Sequence, residues 1–416
     1  MSKAIALYLH VHQPYRVRPY SVFDIGERHD YFDIKDDSKL NNEKIFHKVA
    51  DKSYRPMTAL LRTLLDRHPD FKCSISITGD FIEQAEAWAP DVLDAFNELV
   101  ATGRVEIVAE TYYHSLAFFY NKQEFVSQVE QHRQKIKEVF GVVPTAFRNT
   151  ELAYNDEVAE WADEAGYEVV LAEGWDPVLE WRSPNYVYRP AGTENISLLL
   201  KNYQLSDDLA FRFGDQSWNE WPLSVDKYAS WVASNSEGPL VNLFMDFETF
   251  GEHQWADTGI FTFFEAFVAK WLSESGNSFQ TVTGAARELE PAGELSMPQT
   301  VTWADSERDL SAWTGNDLQK ESLKYAYALQ NDVLRSNDVE LIRDWRLLQS
   351  SDHFYYMATK WQHDGDVHKY FSPYDSPYDA FLSYMNAIRD VRLRLMLHHS
   401  LGGLNTPKPS EENVAI

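Results

Sequence analysis

Seven short β-prone runs recur through the first 246 residues with helix-period stretches between them, and this alternation limits the fold more than any other feature. The runs are AIALYLH (4–10), KCSISIT (72–78), RVEIVAE (104–110), TAFRN (145–149), YEVVLAE (167–173), ISLLLKN (196–202) and PLVNLFMD (239–246). Between them lie MTALLRTLLDRH, APDVLDAFNELVATG and FVSQVEQHRQKIKEVFG, the last two closing on Gly103 and Gly141 as helix C-caps do. Strand and helix in alternation argue for a parallel α/β sheet. Seven strands without a glycine-rich phosphate fingerprint favour a (β/α)7-type barrel over a nucleotide-binding open sheet.

From about residue 315 the pattern becomes helical: LQKESLKYAYALQNDVLRS, DVELIRDWRLLQSSDHFYYMATKW and SPYDAFLSYMNAIRDVRLRLMLHH. The expected organisation is a catalytic barrel over 1–290, a helical bundle over 291–400 that contributes to the cleft, and a mobile tail over 401–416. The chain's 416 residues, 44% hydrophobic, can fill such cores. Its net charge of −26 repels phosphate backbones and anionic lipid, so neither nucleic acid nor membrane is an expected partner. A lone Cys73 in an apolar run suggests a buried thiol in a reducing compartment. With no cleavage-site pattern at the N-terminus and no apolar stretch of spanning length, the expected location is cytoplasmic.

Barrel chemistry resides at the carboxyl ends of strands. There the sequence places His10, His12 and Gln13, then Gly79 and Asp80, then Glu106, Glu110 and His114, then Glu151, then Glu173 and Trp175, and last Asp246, Glu248, Glu252 and His253. Each has a plainer reading. Asp80 with Glu83 resembles a capping box, His114 suits a hydrogen-bonded core, and Trp175, Trp255, Trp303 and Trp313 could be core aromatics. The histidines of HVHQP share one strand face, which suits a divalent metal or a polar ligand. Asp246 ends an apolar strand, where an unpaired charge is costly, and Glu151 sits in FRNTELAYND, where Asn155 is the better helix cap. Two such carboxylates in an aromatic cleft fit glycoside hydrolysis.

Five segments in order, HVHQP, GRVEIVAETYYH, FRNTELAYND, FMDFETFGEHQW and TWADSERDLSAWTGNDLQ, resemble the conserved regions of glycoside hydrolase family 57, in wording closest to its short α-amylase-type members. The resemblance implies a (β/α)7 barrel with a helical extension, an α-glucan or maltooligosaccharide substrate, and no cofactor or metal. It places the nucleophile on Glu151 and the acid/base on Asp246 of a retaining enzyme. Their carboxyls would then lie about 5 to 5.5 Å apart, with the Asp246 pKa raised. His10, His12, Gln13, Glu106, His114, Trp175, Glu248, His253, Trp255, Trp303, Trp313 and Asp352 become substrate-binding candidates, Asp352 on the second bundle helix. The alternatives are a 4-α-glucanotransferase or branching enzyme on the same site, a metal-dependent carbohydrate hydrolase or deacetylase, and a non-catalytic sugar-binding protein.

Overall fold

The computed structural model describes residues 3–33, 38–234, 237–360 and 372–402. Its strands are β1 (Ala4–Val11), β2 (Cys73–Ile77), β3 (Val105–Ile107), β4 (Ala146–Arg148), β5 (Val169–Glu173), β6 (Arg189–Pro190), β7 (Ser197–Lys201), β8 (Leu240–Asp246), β9 (Ser278–Gln280) and β10 (Glu294–Leu295). All seven β-prone runs become strands, and every pairing among them is parallel.

The ladders give two arcs, β3-β2-β1-β8 and β4-β5-β7. Two short seams join them. Past the end of β3, Ala109 bridges Phe147 of β4 in parallel, with Ala109 N donating to Ala146 O and Arg148 N to Ala109 O. On the other side Asn202 N donates to Asn242 O, and the buried Asn242 side chain donates to Leu200 O. An amide in the middle of the apolar run LVNLFMD thus completes the backbone bonding where a ladder is missing, as a buried polar group must. The result is a closed barrel of seven parallel strands.

The two-residue period of the strands sorts the side chains. On β1, Ile5, Leu7, Leu9 and Val11 face outward into the core beneath the surrounding helices, while Ala6 and Tyr8 belong to the barrel's own interior. On β8, Val241, Leu243 and Met245 likewise face out, and Leu240 and Phe244 face in. Tyr8 and Phe244 meet edge to face at 5.5 Å. Carrying the same alternation one step further puts His10 and Asp246, which are register partners, on the interior face just above this apolar plug. Cys73 is free and buried, its thiol pushed up to about 12 by burial.

Just past residue 290, β10 pairs with β6 in a separate two-stranded sheet, and Val301 bridges Tyr154 in the loop after β4. A separate core gathers Trp313, Leu323, Trp345, Phe354, Tyr384 and Ile388 with Val17, Tyr20 and Tyr31 from the long connection after β1. The last helix, Pro377–Gly402, runs past residue 400, and the remainder of the expected tail, 403–416, lies outside the described residues. Among the described residues no helix is long and apolar enough to cross a membrane.

Candidate active site

A cavity of about 610 Å³ opens at the carboxyl ends of the strands. Its wall includes His10, His12, Gln13, His114, Glu151, Asp246, Glu248, His253, Trp303, Trp313 and Asp352, so eleven of the fourteen candidate residues converge there. The other three do not line it. Glu106 alternates with the buried Val105 and Ile107 and is the register partner of Ser74 near the start of β2. There it accepts from Ser74 Oγ at 2.8 Å and from Thr283, tying β2 and β3 to the helix Val282–Glu288. Trp175 packs into the core behind β5, and Trp255 is 54% exposed beside Lys52. The capping-box reading of Asp80 fails, because Asp80 lies inside the helix Gly79–Trp88 with its carboxylate 3.5 Å from His12 Nδ1.

Glu151 is held by an unusual backbone. It lies in a single 3-10 turn, Thr150–Leu152, with φ of 59°, a left-handed conformation that non-glycine residues rarely adopt. Asn155 caps the next helix by accepting from Val158 N, so Glu151 takes no part in capping. Its carboxylate accepts from Trp303 Nε1 at 2.7 Å and Ser351 Oγ at 3.1 Å, and lies 3.1 Å from His114 Nε2. Burial pushes its pKa up, but the His114 contact and charge and the Trp303 indole outweigh this and leave it below the ordinary value.

Asp246 lines the same cavity, 3.4 Å from His10 Nδ1, with its side chain 37% exposed. Its pKa is lowered, where a raised value was expected. Burial acts upward, but the His10 hydrogen bond and the positive field of His10, His253 and Arg148 prevail. The raised carboxyl here is its neighbour Glu248, pushed up to about 8 by burial and by the charge of Asp246. Glu248 accepts from Tyr54 Oη at 2.6 Å.

The three histidines form a triangular cluster, with His114 4.8 Å from His10 and 4.2 Å from His12, and His10 5.9 Å from His12, between ring centroids. His12 meets Asp352 Oδ2 at 2.9 Å and Thr78 Oγ1 at 2.9 Å. Asp352 is not on a continuous second bundle helix. That helix stops at Leu347, and Asp352 starts a separate turn, Ser351–Tyr355, after Ser350 bridges Ser115 and Ser351 N donates to His114 O. The imidazole nitrogens face carboxylates or a hydroxyl, and two of the resulting groups, His10–Glu110–His114 and His12–His114–Asp352, bring their ligand atoms within 4.8 Å of one another, close enough to hold a metal ion.

Sequence reasoning missed several groups. Arg148, fully buried, has its charge 5.1 Å from the Trp303 ring centre; an arginine inside a buried strand, three residues before Glu151, was its available signal. Lys201, Asp207 and Arg308 line the cavity in an ion network around buried Glu173.

A carboxylate pair facing one cleft at the mouth of a parallel barrel, with indole and imidazole around it, is the layout of a glycoside hydrolase. The chain belongs to glycosyl hydrolase family 57, whose model matches residues 6–298. A relative named "Putative alpha-amylase" from Methanocaldococcus jannaschii is 41% identical over 392 residues, 91% of this chain and 82% of the relative. Among solved structures, a GH57 branching enzyme from Thermococcus kodakaraensis superposes with a TM-score of 0.69 at 14% identity, covering 96% of this chain and 90% of that one. A 4-alpha-glucanotransferase from Thermococcus litoralis gives 0.61 at 17% identity, covering 85% and 56%. At these identities the two structures speak for the fold.

Proposed function

We propose that the protein is a retaining, α-amylase-like hydrolase of α-1,4-glucans, with Glu151 as nucleophile and Asp246 as acid/base. The observation that carries this reading is that the two carboxylates line one cavity, one fixed by three contacts and the other with its side chain 37% exposed. Glu151, held anionic, attacks the anomeric carbon as the glycosidic C–O bond breaks. Asp246 gives its proton to the departing oxygen, then takes a proton from the water that cleaves the glycosyl–Glu151 ester.

Asp246 is ionised in the free enzyme, so the proton must be gained as substrate displaces water from its exposed edge and strengthens the desolvation that already acts upward. His10 beside it is the group through which that proton can be shared. Glu248, His12 and Asp352 would meet sugar hydroxyls, and Trp303 would pack on a ring face, with Trp313 buried within the wall.

The test is digestion of maltoheptaose and amylose by wild type, Glu151→Gln and Asp246→Asn, with the anomer released followed by NMR. The reading expects α-configured products and a loss of at least about 10³-fold in both variants. Initial release of the β anomer would refute retention. Products longer than the substrate would favour transfer, the activity named for the Thermococcus litoralis protein.

A further inference from the structure

The buried charge behind the cleft has no role in that scheme. We propose that Glu110 is a positioning residue that orients His10 and His114 together, so that one hydrogen-bonded chain runs Asp246–His10–Glu110–His114–Glu151 across the site. The inference rests on the reading of Glu151 and Asp246 as the reacting pair.

Glu110 is fully buried, and a single oxygen, Oε2, receives three groups. His10 Nε2 is at 3.3 Å, His114 Nδ1 at 3.4 Å and Arg148 Nη1 at 3.3 Å. Burial opposes ionisation, but His10, His114 and Arg148 hold the carboxyl well below its usual range, so it is an anion that only accepts. The nitrogens facing it must therefore carry hydrogens. That assigns N–H to Nε2 of His10 and to Nδ1 of His114, and the same rule applied to the anionic Asp246 and Glu151 puts N–H on His10 Nδ1 and His114 Nε2, so each imidazole links two carboxylates as a donor.

If Glu110 served only to neutralise Arg148, nothing would require both imidazoles to converge on the same oxygen. Nor is Arg148 fixed by other groups, since Glu110 is its one side-chain hydrogen-bond partner among the described residues. Tyr8 lies below with its hydroxyl on Ser76, and its phenol is pushed above its usual range by burial. Behind is His132, kept neutral by burial, with Nε2 on Ile77 O and Nδ1 3.5 Å from the Glu110 amide. Beyond the two histidines stand His12, Asp80 and Asp352 on the His114 side, and His253 and Glu248 on the Asp246 side.

The consequence concerns protons. Asp246 is the group that must gain a proton, and a fixed negative charge behind His10 favours the protonated form of Asp246. Removing the charge while Arg148 stays disfavours that form, so the alkaline limb of the rate profile must move to lower pH.

The experiment compares kcat and KM on maltoheptaose against pH for wild type, Glu110→Gln and Glu110→Gln/Arg148→Gln, with circular dichroism melts as the folding control. The expected result for Glu110→Gln is a kcat at least about 10-fold lower, KM within about 3-fold, and an alkaline limb about one pH unit lower. The double variant, free of the unbalanced cation, should recover part of the shift but not the kcat. A folded Glu110→Gln with the wild-type profile overturns the proposal. Should neither variant fold, 15N spectra of histidine-labelled wild type decide it, and a bare Nε2 on His10 is the overturning result. Glu151→Gln and Asp246→Asn run alongside: activity in either refutes the underlying reading, independently of what Glu110 does.

Discussion

The left-handed backbone at Glu151 is held by its neighbours, because a carboxylate with φ of 59° is disfavoured on its own. Trp303 supplies two restraints, its amide on Glu151 O at 3.2 Å and its indole on Glu151 Oε2. A charged acceptor loses more than a neutral one when its donor goes. In Trp303→Phe the ring face remains but the donor is gone, so the Glu151 pKa rises toward the ordinary range. Protonation then disables the proposed nucleophile at a higher pH, and the acid limb of kcat/KM should move up by about one unit. An acid limb unchanged in that variant would mean the indole does not hold the charge. FRNTELAYND was legible at this scale because a carboxylate between a strand and an Asn-capped helix lacks a structural duty. Asp246 was legible in place but not in pKa, since the fields of His10 and Arg148 come from distant parts of the chain.

At the scale of elements, the strands that carry the site were readable because each alternates or runs apolar over several residues. β6, β9 and β10 were not, because two or three residues become strands only through a distant partner. The break before Asp352 was hidden for a related reason: helix period continues through LLQSSD, and contacts from Ser350 and Ser351 to the His114 loop interrupt it. The loop after β8 was better marked. Gly251 has φ of 110°, and a Cβ there would lie 1.8 Å from Lys52 O. Backbone cannot give way as a side-chain tip can, so Gly251→Ala should cost about 3 kcal/mol and displace the turn carrying His253. Urea unfolding measures the first effect. A variant with wild-type stability would show that the loop repacks freely.

Over the whole molecule, the helical part does more than cover the barrel. Ser351 reaches Glu151 and Asp352 reaches His12, so the site closes only when both cores are docked. The His12–Asp352 pair makes this docking depend on pH. Burial lowers the His12 pKa, but the charges of Asp80 and Asp352 raise it well above its ordinary value. Burial acts upward on Asp352, yet His12 holds it far below the carboxylate range. The raised histidine contributes stability that is complete below its unfolded pKa of about 6.5 and is lost as pH rises through the folded value. The depressed aspartate contributes stability present above about 3.9 and lost as pH falls toward its folded value. Their joint contribution is therefore greatest between about pH 4 and 6.5. Asp352→Asn leaves His12 with Asp80 alone and should cost about 1 to 3 kcal/mol at pH 5.5, since the pair is only partly buried. The gap from wild type should narrow toward pH 3 and at strongly alkaline pH. Urea titrations followed by both ellipticity and maltoheptaose turnover would show the variant losing activity before the barrel unfolds. A gap constant with pH would mean that this pair does not control the docking.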